Sequence, residues 1–144
     1  MSEKYVVGYD GSQVASRALD FAVARAAGEG GSVLVVHVLE WSPYSFLTPE
    51  EIEERHVRRK EELARAESAL MAPLKAKIEA ANVPVETQIK YGHVAKTLCA
   101  VASTEKVTQM VAGRDGDGGL STRGFGSVAG SLVQIAPVPC TIVP

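Results

Sequence analysis

Short apolar segments rich in β-branched residues alternate with longer segments of helical periodicity, and this alternation constrains the fold most. Four apolar segments lack regular polar alternation, as do strands of a parallel sheet that are covered on both faces. They are Tyr5–Tyr9, Val33–Leu39, Val107–Ala112 and Val138–Val143. A fifth segment, Val83–Lys90, alternates apolar and polar residues and has Pro84 near its start. Both features are typical of an edge strand.

Helices are predicted between these strands. Gln13–Ala27 carries an apolar stripe and is followed by Gly28, a helix stop signal. A long helix begins at Thr48 with a capping box, and Pro73 should kink or break it. Its second half is expected to bury Leu63, Ala66, Leu70, Leu74 and Ile78. The last two helices are predicted at His93–Thr104 and at about Gly126–Pro137.

The resulting order, β-α-β-α-β-α-β-α-β, predicts one α/β domain over residues 1–144. A parallel five-stranded sheet with right-handed crossovers is the architecture that such an order favours. Hydrophobic residues make up 46% of the chain, which is enough for one core without a disulfide or metal. We therefore expect helices on both faces of the sheet.

Charge and composition exclude several function classes. The net charge is −2 and no basic tract exists, which argues against nucleic-acid binding. The N-terminus lacks a signal-peptide pattern and no apolar run reaches 18 residues, so we expect a cytoplasmic protein without membrane insertion. Cys99 and Cys140 are too few for a disulfide framework and are not spaced for zinc.

A glycine-rich loop, with six glycines between Gly113 and Gly126, follows a predicted strand and precedes a helix. A helix N-terminus attracts phosphate, and glycines let the backbone approach an anion. Ser127 could cap the helix or donate to a phosphate, and Arg114 and Arg123 could add charged contacts. A loop whose glycines only permit tight turns explains the pattern equally well. The spacing is neither that of a P-loop nor that of a dinucleotide fingerprint.

Asp10 ends the first predicted strand, just before Gly11 and Ser12. Either Asp10 or Ser12 could simply cap the next helix. With strand order 3-2-1-4-5, however, the winding reverses between strands 1 and 4, where ligands of such sheets bind. The Asp10 loop and the glycine-rich loop would then face one crevice, which suits a nucleotide.

Other side chains have simpler interpretations. His37 is expected to be a packed or hydrogen-bonded core residue, His56 to be solvated and His93 to cap a helix. Trp41, Tyr44 and Phe46 form an aromatic patch that covers either the core or a bound nucleotide, or contacts a partner protein.

Gly113-x2-Gly116-x9-Gly126-Ser127 resembles the G-2x-G-9x-G-(S/T) signature of ATP-binding universal stress proteins. The resemblance extends along the whole chain. VVGYDGSQVASRAL is similar to the family's first strand and helix, VLVVHV to its second strand, and GSVAGSLVQIAPVPCTIV to its last helix and strand.

The resemblance implies a flavodoxin-like sandwich, of the kind found in adenine-nucleotide alpha hydrolases, with strand order 3-2-1-4-5. It also implies a homodimer that pairs the last strands antiparallel at Thr141–Val143. By motif position, the adenine and ribose would contact Asp10, the backbone around Val38, Ala112 and Gly113. The phosphates would contact Gly116, Gly126, Ser127 and Val128. ATP is the expected ligand, with AMP or a cyclic nucleotide as alternatives, and Mg²⁺ could bridge Asp115 and Asp117 to the phosphates.

Three functions remain open from the sequence. The first is a binding module that signals to a regulatory protein by nucleotide occupancy, which we favour over an enzyme. The second is a slow ATP hydrolase or adenylating enzyme with Asp115 as a conceivable base, although S-G-G-x-D-S and H-I-G-H motifs are absent. The third is a nucleotide-free regulatory dimer of the same fold.

Overall fold

A five-stranded, all-parallel sheet with strand order β3-β2-β1-β4-β5 forms the centre of the computed structural model. The structure describes residues 3–40, 48–114 and 127–144, and of Ser127 the backbone alone. The strands are β1 Lys4–Gly8, β2 Ser32–Leu39, β3 Val85–Tyr91, β4 Gln109–Gly113 and β5 Cys140–Val143. The predicted fold class and strand order are confirmed, and β3 lies at an edge as its alternation predicts.

The helices are α1 Gln13–Glu29, α2 Pro49–Arg65, α3 Ala72–Ala80, α4 Val94–Thr104 and α5 Ser127–Ile135, with a π-helical segment at Ala66–Met71. In the part of the chain that is described, none of these helices is long and apolar enough to cross a bilayer. Helices α1, α4 and α5 each connect two consecutive strands, and α2, the π-helical segment and α3 together connect β2 to β3.

Two apolar cores lie on opposite faces of the sheet. On one face, alternate residues of the strands pack against α1, α3 and the π-helical segment. On the other, the intervening strand residues pack against α4 and α5. Neighbouring residues of β2 illustrate the alternation, because Val35 belongs to the first core and Val36 to the second, and neither is exposed. This two-sided burial explains why the central strands lack polar alternation.

Three helices begin at a residue whose side chain caps them. Ser12, Thr48 and His93 each accept a hydrogen bond from the backbone N–H three residues further on, at 3.2, 3.2 and 3.3 Å. Such caps satisfy N–H groups that have no partner within the helix. The predicted start of the long helix and the predicted role of His93 are therefore correct.

The end of α1 differs from the prediction. Gly28 lies within the helix, and the residue that ends it is Gly30, with a left-handed φ of 69°. The Gly30 and Gly31 N–H groups both bond to the Ala26 carbonyl. Glycine is favoured at such a position because it has no Cβ and adopts a positive φ without steric cost.

The long helix continues through Pro73 instead of breaking there. A proline ring clashes with the carbonyl four residues earlier in an α-helix. Here the turn before Pro73 is widened, and the Ala72 N–H bonds to the carbonyl of Glu67, five residues earlier. This π-turn inserts one residue into the helical register.

The inserted residue changes which side chains reach the core. The predicted stripe included Leu63 and Leu70, but Leu63 is 41% exposed and Leu70 is half-buried. Met71 is fully buried instead, together with the correctly predicted Ala66, Leu74 and Ile78. Met71 takes the core position expected of Leu70, because that expectation assumed an unbroken 3.6-residue period. The prediction of Leu63 as a core residue is wrong because α2, to which it belongs, buries none of its side chains.

We expect Met71→Ala to lower the free energy of unfolding by about 2–5 kcal/mol, as large-to-small substitutions in a packed core do. Leu63→Ala, on the exposed side of the same helix, is the matched control and should cost less than about 1 kcal/mol. Urea denaturation followed by circular dichroism measures both. Equal losses would contradict the burial of Met71 and the exposure of Leu63.

Candidate functional site

A cavity of about 330 Å³ opens at the carboxyl edge of β1, β2 and β4. Its volume falls within the range of roughly 300–1,000 Å³ that small-molecule sites occupy. The lining combines the turn after β1, the ends of β2 and β4, and residues of α1, α4 and α5. This is the place where the winding of the sheet reverses, so the crevice lies where α/β sheets bind ligands.

The structure brings five of the predicted site residues together in this crevice. They are Asp10, Val38, Ala112, Gly113 and Val128. Ser127 is the first residue of α5 and directly precedes the lining residue Val128 in the sequence. The other predictions, on Gly116, Gly126, Asp115, Asp117, Arg123, Trp41, Tyr44 and Phe46, lie outside the described residues.

Asp10 forms the turn between β1 and α1 without capping the helix. Its Oδ1 accepts a hydrogen bond from the Ser12 N–H at 2.9 Å, while Ser12 is the residue that caps α1. The Asp10 side chain is exposed and lines the crevice. One carboxylate oxygen thus holds the turn, and Oδ2 has no protein donor among the described residues.

The end of β2 presents an open backbone edge to the crevice. Strand pairing between β1 and β2 stops at Gly8 and Val36, although β2 continues to Leu39. The Tyr9 N–H still bonds to the Val36 carbonyl, at 2.9 Å. Because N–H and C=O groups of alternate residues point to the same side of a strand, those of Val38 also face the β1 side. Within the described residues they have no backbone partner there.

Two glycines let helices approach the floor of the crevice. A Cβ on Gly113 would lie 2.8 Å from Val14 Cγ2 and 3.1 Å from the Val14 carbonyl oxygen. A Cβ on Gly8 would lie 2.9 Å from Leu98 Cδ1. The first glycine of the predicted signature therefore has a packing role in this structure, because it brings β4 close to α1.

The walls of the crevice are apolar and its rim is charged. Val36, Leu98 and Ala129 are among the apolar lining residues. The rim contains Glu40 and Arg114 besides Asp10. Sequence reasoning missed Glu40, although it directly follows β2 and so lies at the same sheet edge as Asp10.

The first turn of α5 also reaches the crevice, through Val128 and Ala129. The first N–H groups of a helix lack intrahelical partners and carry about half a positive charge. This end of the crevice can therefore bind an anion. A slot with apolar walls, one carboxylate, an open strand edge and a helix N-terminus can hold a flat polar ring linked to a phosphate.

The histidines and cysteines contribute no nucleophile or base to the crevice lining. His37 bonds to the Tyr9 carbonyl and His56 is exposed, as predicted. Burial raises the pKa of the Cys99 thiol, and burial together with the neighbouring Cys99 raises that of Cys140. Both thiols are therefore protonated at neutral pH and poorly nucleophilic.

Fold and site together define a class, that of α/β proteins with a 3-2-1-4-5 parallel sheet and a ligand crevice at its switch point. The chain belongs to the universal stress protein family, whose model matches residues 1–144. A Thermus aquaticus protein, described as the universal stress protein in the QAH/OAS sulfhydrylase 3′ region, is 31% identical over 144 residues. That alignment covers 99% of each chain.

Solved structures share the fold at lower identity. Universal stress protein UspA from Lactobacillus plantarum superposes with a TM-score of 0.86 at 22% identity, covering 99% of this chain and 97% of that one. A universal stress protein in complex with cAMP has a TM-score of 0.70 at 19% identity, covering 99% and 97%. An Arabidopsis thaliana family member with AMP bound has a TM-score of 0.67 at 20% identity, covering 98% and 90%.

We expect Gly113→Ala to destabilise the protein by about 1–3 kcal/mol, because the added methyl group collides with Val14 and with its backbone. Gly28→Ala is the control. A Cβ at Gly28 would meet nothing within 4 Å, and the helical position favours alanine by about 1 kcal/mol. Chemical denaturation should therefore give shifts of opposite sign. A neutral Gly113→Ala would show that close packing does not require glycine there.

Proposed function

We propose that this protein is a cytoplasmic universal stress protein that binds an adenine nucleotide, ATP in the first instance, and signals by nucleotide occupancy to a regulatory protein. The observation that carries the proposal is the joining, in one crevice, of an open strand edge, a carboxylate and a helix N-terminus. The AMP and cAMP complexes of the two family members described above support it.

The open edge at Val38 would bind the base. Its N–H and C=O lie side by side, so they form a donor next to an acceptor. Adenine carries the complementary pair, the N1 acceptor and the N6 amino donor, whereas guanine has an acceptor, O6, in place of the amino group. Apolar side chains from the helices on the two faces of the sheet, such as Val14 of α1 and Leu98 of α4, would pack against the ring faces. The crevice should therefore select adenine over guanine.

Asp10 would bind the ribose. Sugar hydroxyls are donors, and a carboxylate oxygen that lacks a protein partner is a strong acceptor for them. The hydrogen bond from Ser12 to Oδ1 keeps the carboxylate in place at the crevice. Asp10 thus has a structural bond on one oxygen and a ligand bond on the other.

The phosphates would lie at the N-terminus of α5. The N–H groups around Val128 supply donors there, and Arg114 supplies a positive charge at the rim. By the family resemblance, the loop residues Gly116 and Gly126 and the Ser127 hydroxyl would contribute further contacts. Mg²⁺, if bound, would be held by the phosphates and by Asp115 or Asp117, and would neutralise phosphate charge.

Calorimetric titration with ATP, AMP, cAMP and GMP tests the proposal. We expect the adenine nucleotides to bind, ATP most tightly, and GMP to bind at least tenfold more weakly. Bound at 100 times its dissociation constant, a nucleotide should stabilise the fold by about 2.7 kcal/mol, which a thermal-unfolding assay detects. If none binds, with or without Mg²⁺, the nucleotide-free regulatory dimer becomes the better hypothesis.

In the same titration, Asp10→Asn should weaken AMP binding by about 10- to 100-fold, the range for a hydrogen bond to a charged group. The asparagine Oδ1 still accepts from Ser12, so thermal stability without nucleotide should change little. Asp20→Asn, an exposed carboxylate on α1, is the matched control and should bind AMP normally.

We further propose a homodimer in which the β5 strands of two copies pair antiparallel across Thr141–Val143. Among the described strands, β5 pairs with β4 alone, so its outer edge is open. The carbonyls of Pro139 and Val143 accept from the N–H groups of Met110, in β4, and Arg114, just after it. By alternation, the N–H and C=O of Ile142 point outward. Val133 and Ile135, on the helix before β5, are about half exposed and add apolar surface. An open edge of this kind favours pairing with another strand.

Ile142→Pro should convert the dimer into a monomer, because proline removes the outward N–H and leaves the hydrogen bonds to β4 in place. Light scattering coupled to size-exclusion chromatography measures the mass, and circular dichroism confirms that the variant is folded. Ile142→Val keeps the N–H and should remain dimeric. A monomeric parent protein, or a dimeric folded Ile142→Pro variant, would refute this interface.

A further inference from the structure

We infer that His37 is a positioning residue that keeps the Val38 edge open for the base, an inference that rests on the proposed nucleotide function. His37 lies in β2, next to Val38, but it is not part of the crevice lining. Its side chain extends to the opposite face of the sheet, because successive strand residues alternate and Val38 packs with the α4–α5 core. Its effect on the site is therefore indirect.

The ladder between β1 and β2 has one hydrogen bond fewer than its geometry permits. In a parallel pair, the N–H of a residue donates to one carbonyl of the partner strand. The carbonyl of the same residue accepts from the N–H that lies two residues after that partner carbonyl. Tyr9 donates to the Val36 carbonyl at 2.9 Å, so its own carbonyl would ordinarily accept from the Val38 N–H. That bond is absent, and the pairing ends at Gly8 and Val36.

The imidazole of His37 takes the place of the missing donor. Its Nδ1 lies 2.7 Å from the Tyr9 carbonyl oxygen. A carbonyl can only accept, so Nδ1 carries the proton and donates it. The Tyr9 carbonyl, which is half-buried, thereby has a donor without the Val38 N–H.

The consequence concerns the crevice directly. If the Val38 N–H were bonded to Tyr9, the adjacent donor and acceptor would no longer both be available to a base. Because His37 satisfies the Tyr9 carbonyl, the Val38 N–H is left for a ligand acceptor. A side chain on one face of the sheet thus determines which backbone groups at the edge of β2 a ligand can use.

Amide hydrogen exchange in the nucleotide-free protein tests this inference without any ligand. We expect the Val38 N–H to exchange rapidly in the parent protein. In His37→Leu, which has no donor, the Tyr9 carbonyl should take the Val38 N–H, and exchange at Val38 should slow at least tenfold. His37→Asn is the conservative control, since its Nδ2–H branches from Cγ as the imidazole Nδ1 does. It should retain rapid exchange at Val38.

Binding measurements then separate a base-specific effect from a general one. His37→Leu should weaken AMP binding about tenfold, the order expected for one lost hydrogen bond, and leave ribose 5-phosphate binding unchanged. His37→Asn should restore AMP affinity to within about threefold of the parent. Equal losses for AMP and ribose 5-phosphate, or no rescue by asparagine, would overturn the inference and assign His37 a merely structural role.

The two proposals fail in different ways. A slowly exchanging Val38 N–H in the parent, or unchanged exchange in His37→Leu, would refute the positioning role even if AMP binds. Absence of AMP binding to the parent, with rapid Val38 exchange that slows in His37→Leu, would instead refute the nucleotide function and leave the control of this strand edge by His37 in place.

Discussion

The early end of β1 relative to β2 is the constraint on which the rest of the site depends. A parallel strand that stops before its neighbour leaves part of that neighbour's backbone without a partner, and unpaired buried backbone groups are costly. In this protein the Tyr9 carbonyl is satisfied by His37, at 2.7 Å, and the Ser12 N–H by Asp10, at 2.9 Å. Two side chains thus supply partners to two backbone groups of the turn, while the β2 edge at Val38 stays open among the residues that the structure describes.

The fold was predictable because the pattern that produces it, an apolar strand followed by a helix, is repeated along the whole chain. Every central strand is covered on both faces, so each one is an apolar run, and a helix must follow each run to return to the same edge. The order of the strands and the convergence of Asp10, Val38 and Gly113 at one edge follow from that topology. The fold alone does not determine which ligand Asp10 and Gly113 contact.

The details that sequence reasoning missed depend on tertiary contacts. Gly28 and Gly30 look alike as stop signals, and a Cβ at either would meet nothing within 4 Å, but it is Gly30 that adopts the left-handed φ that ends the helix. The burial of Met71 in place of Leu70 depends on a π-turn before Pro73, and periodicity cannot reveal an inserted residue. Glu40 resembles any exposed glutamate until the end of β2 is known. In each case the local sequence was compatible with several structures, and the three-dimensional structure determined which of them formed.

The charges of the crevice indicate how an anion could be held there. Among the described lining residues Asp10 and Glu40 are negative and Arg114 is positive, so side-chain charge does not by itself favour a phosphate. Long-range attraction is also weak, since the whole chain carries −2. The backbone N–H groups at the start of α5 would bind a phosphate at contact distance. At that distance the repulsion from the nearby carboxylates matters less than it does for a long-range attraction, which salt also screens. Recognition in this crevice would therefore depend on geometry, on donors and acceptors that the sheet edge and the helix end hold in place, more than on net charge.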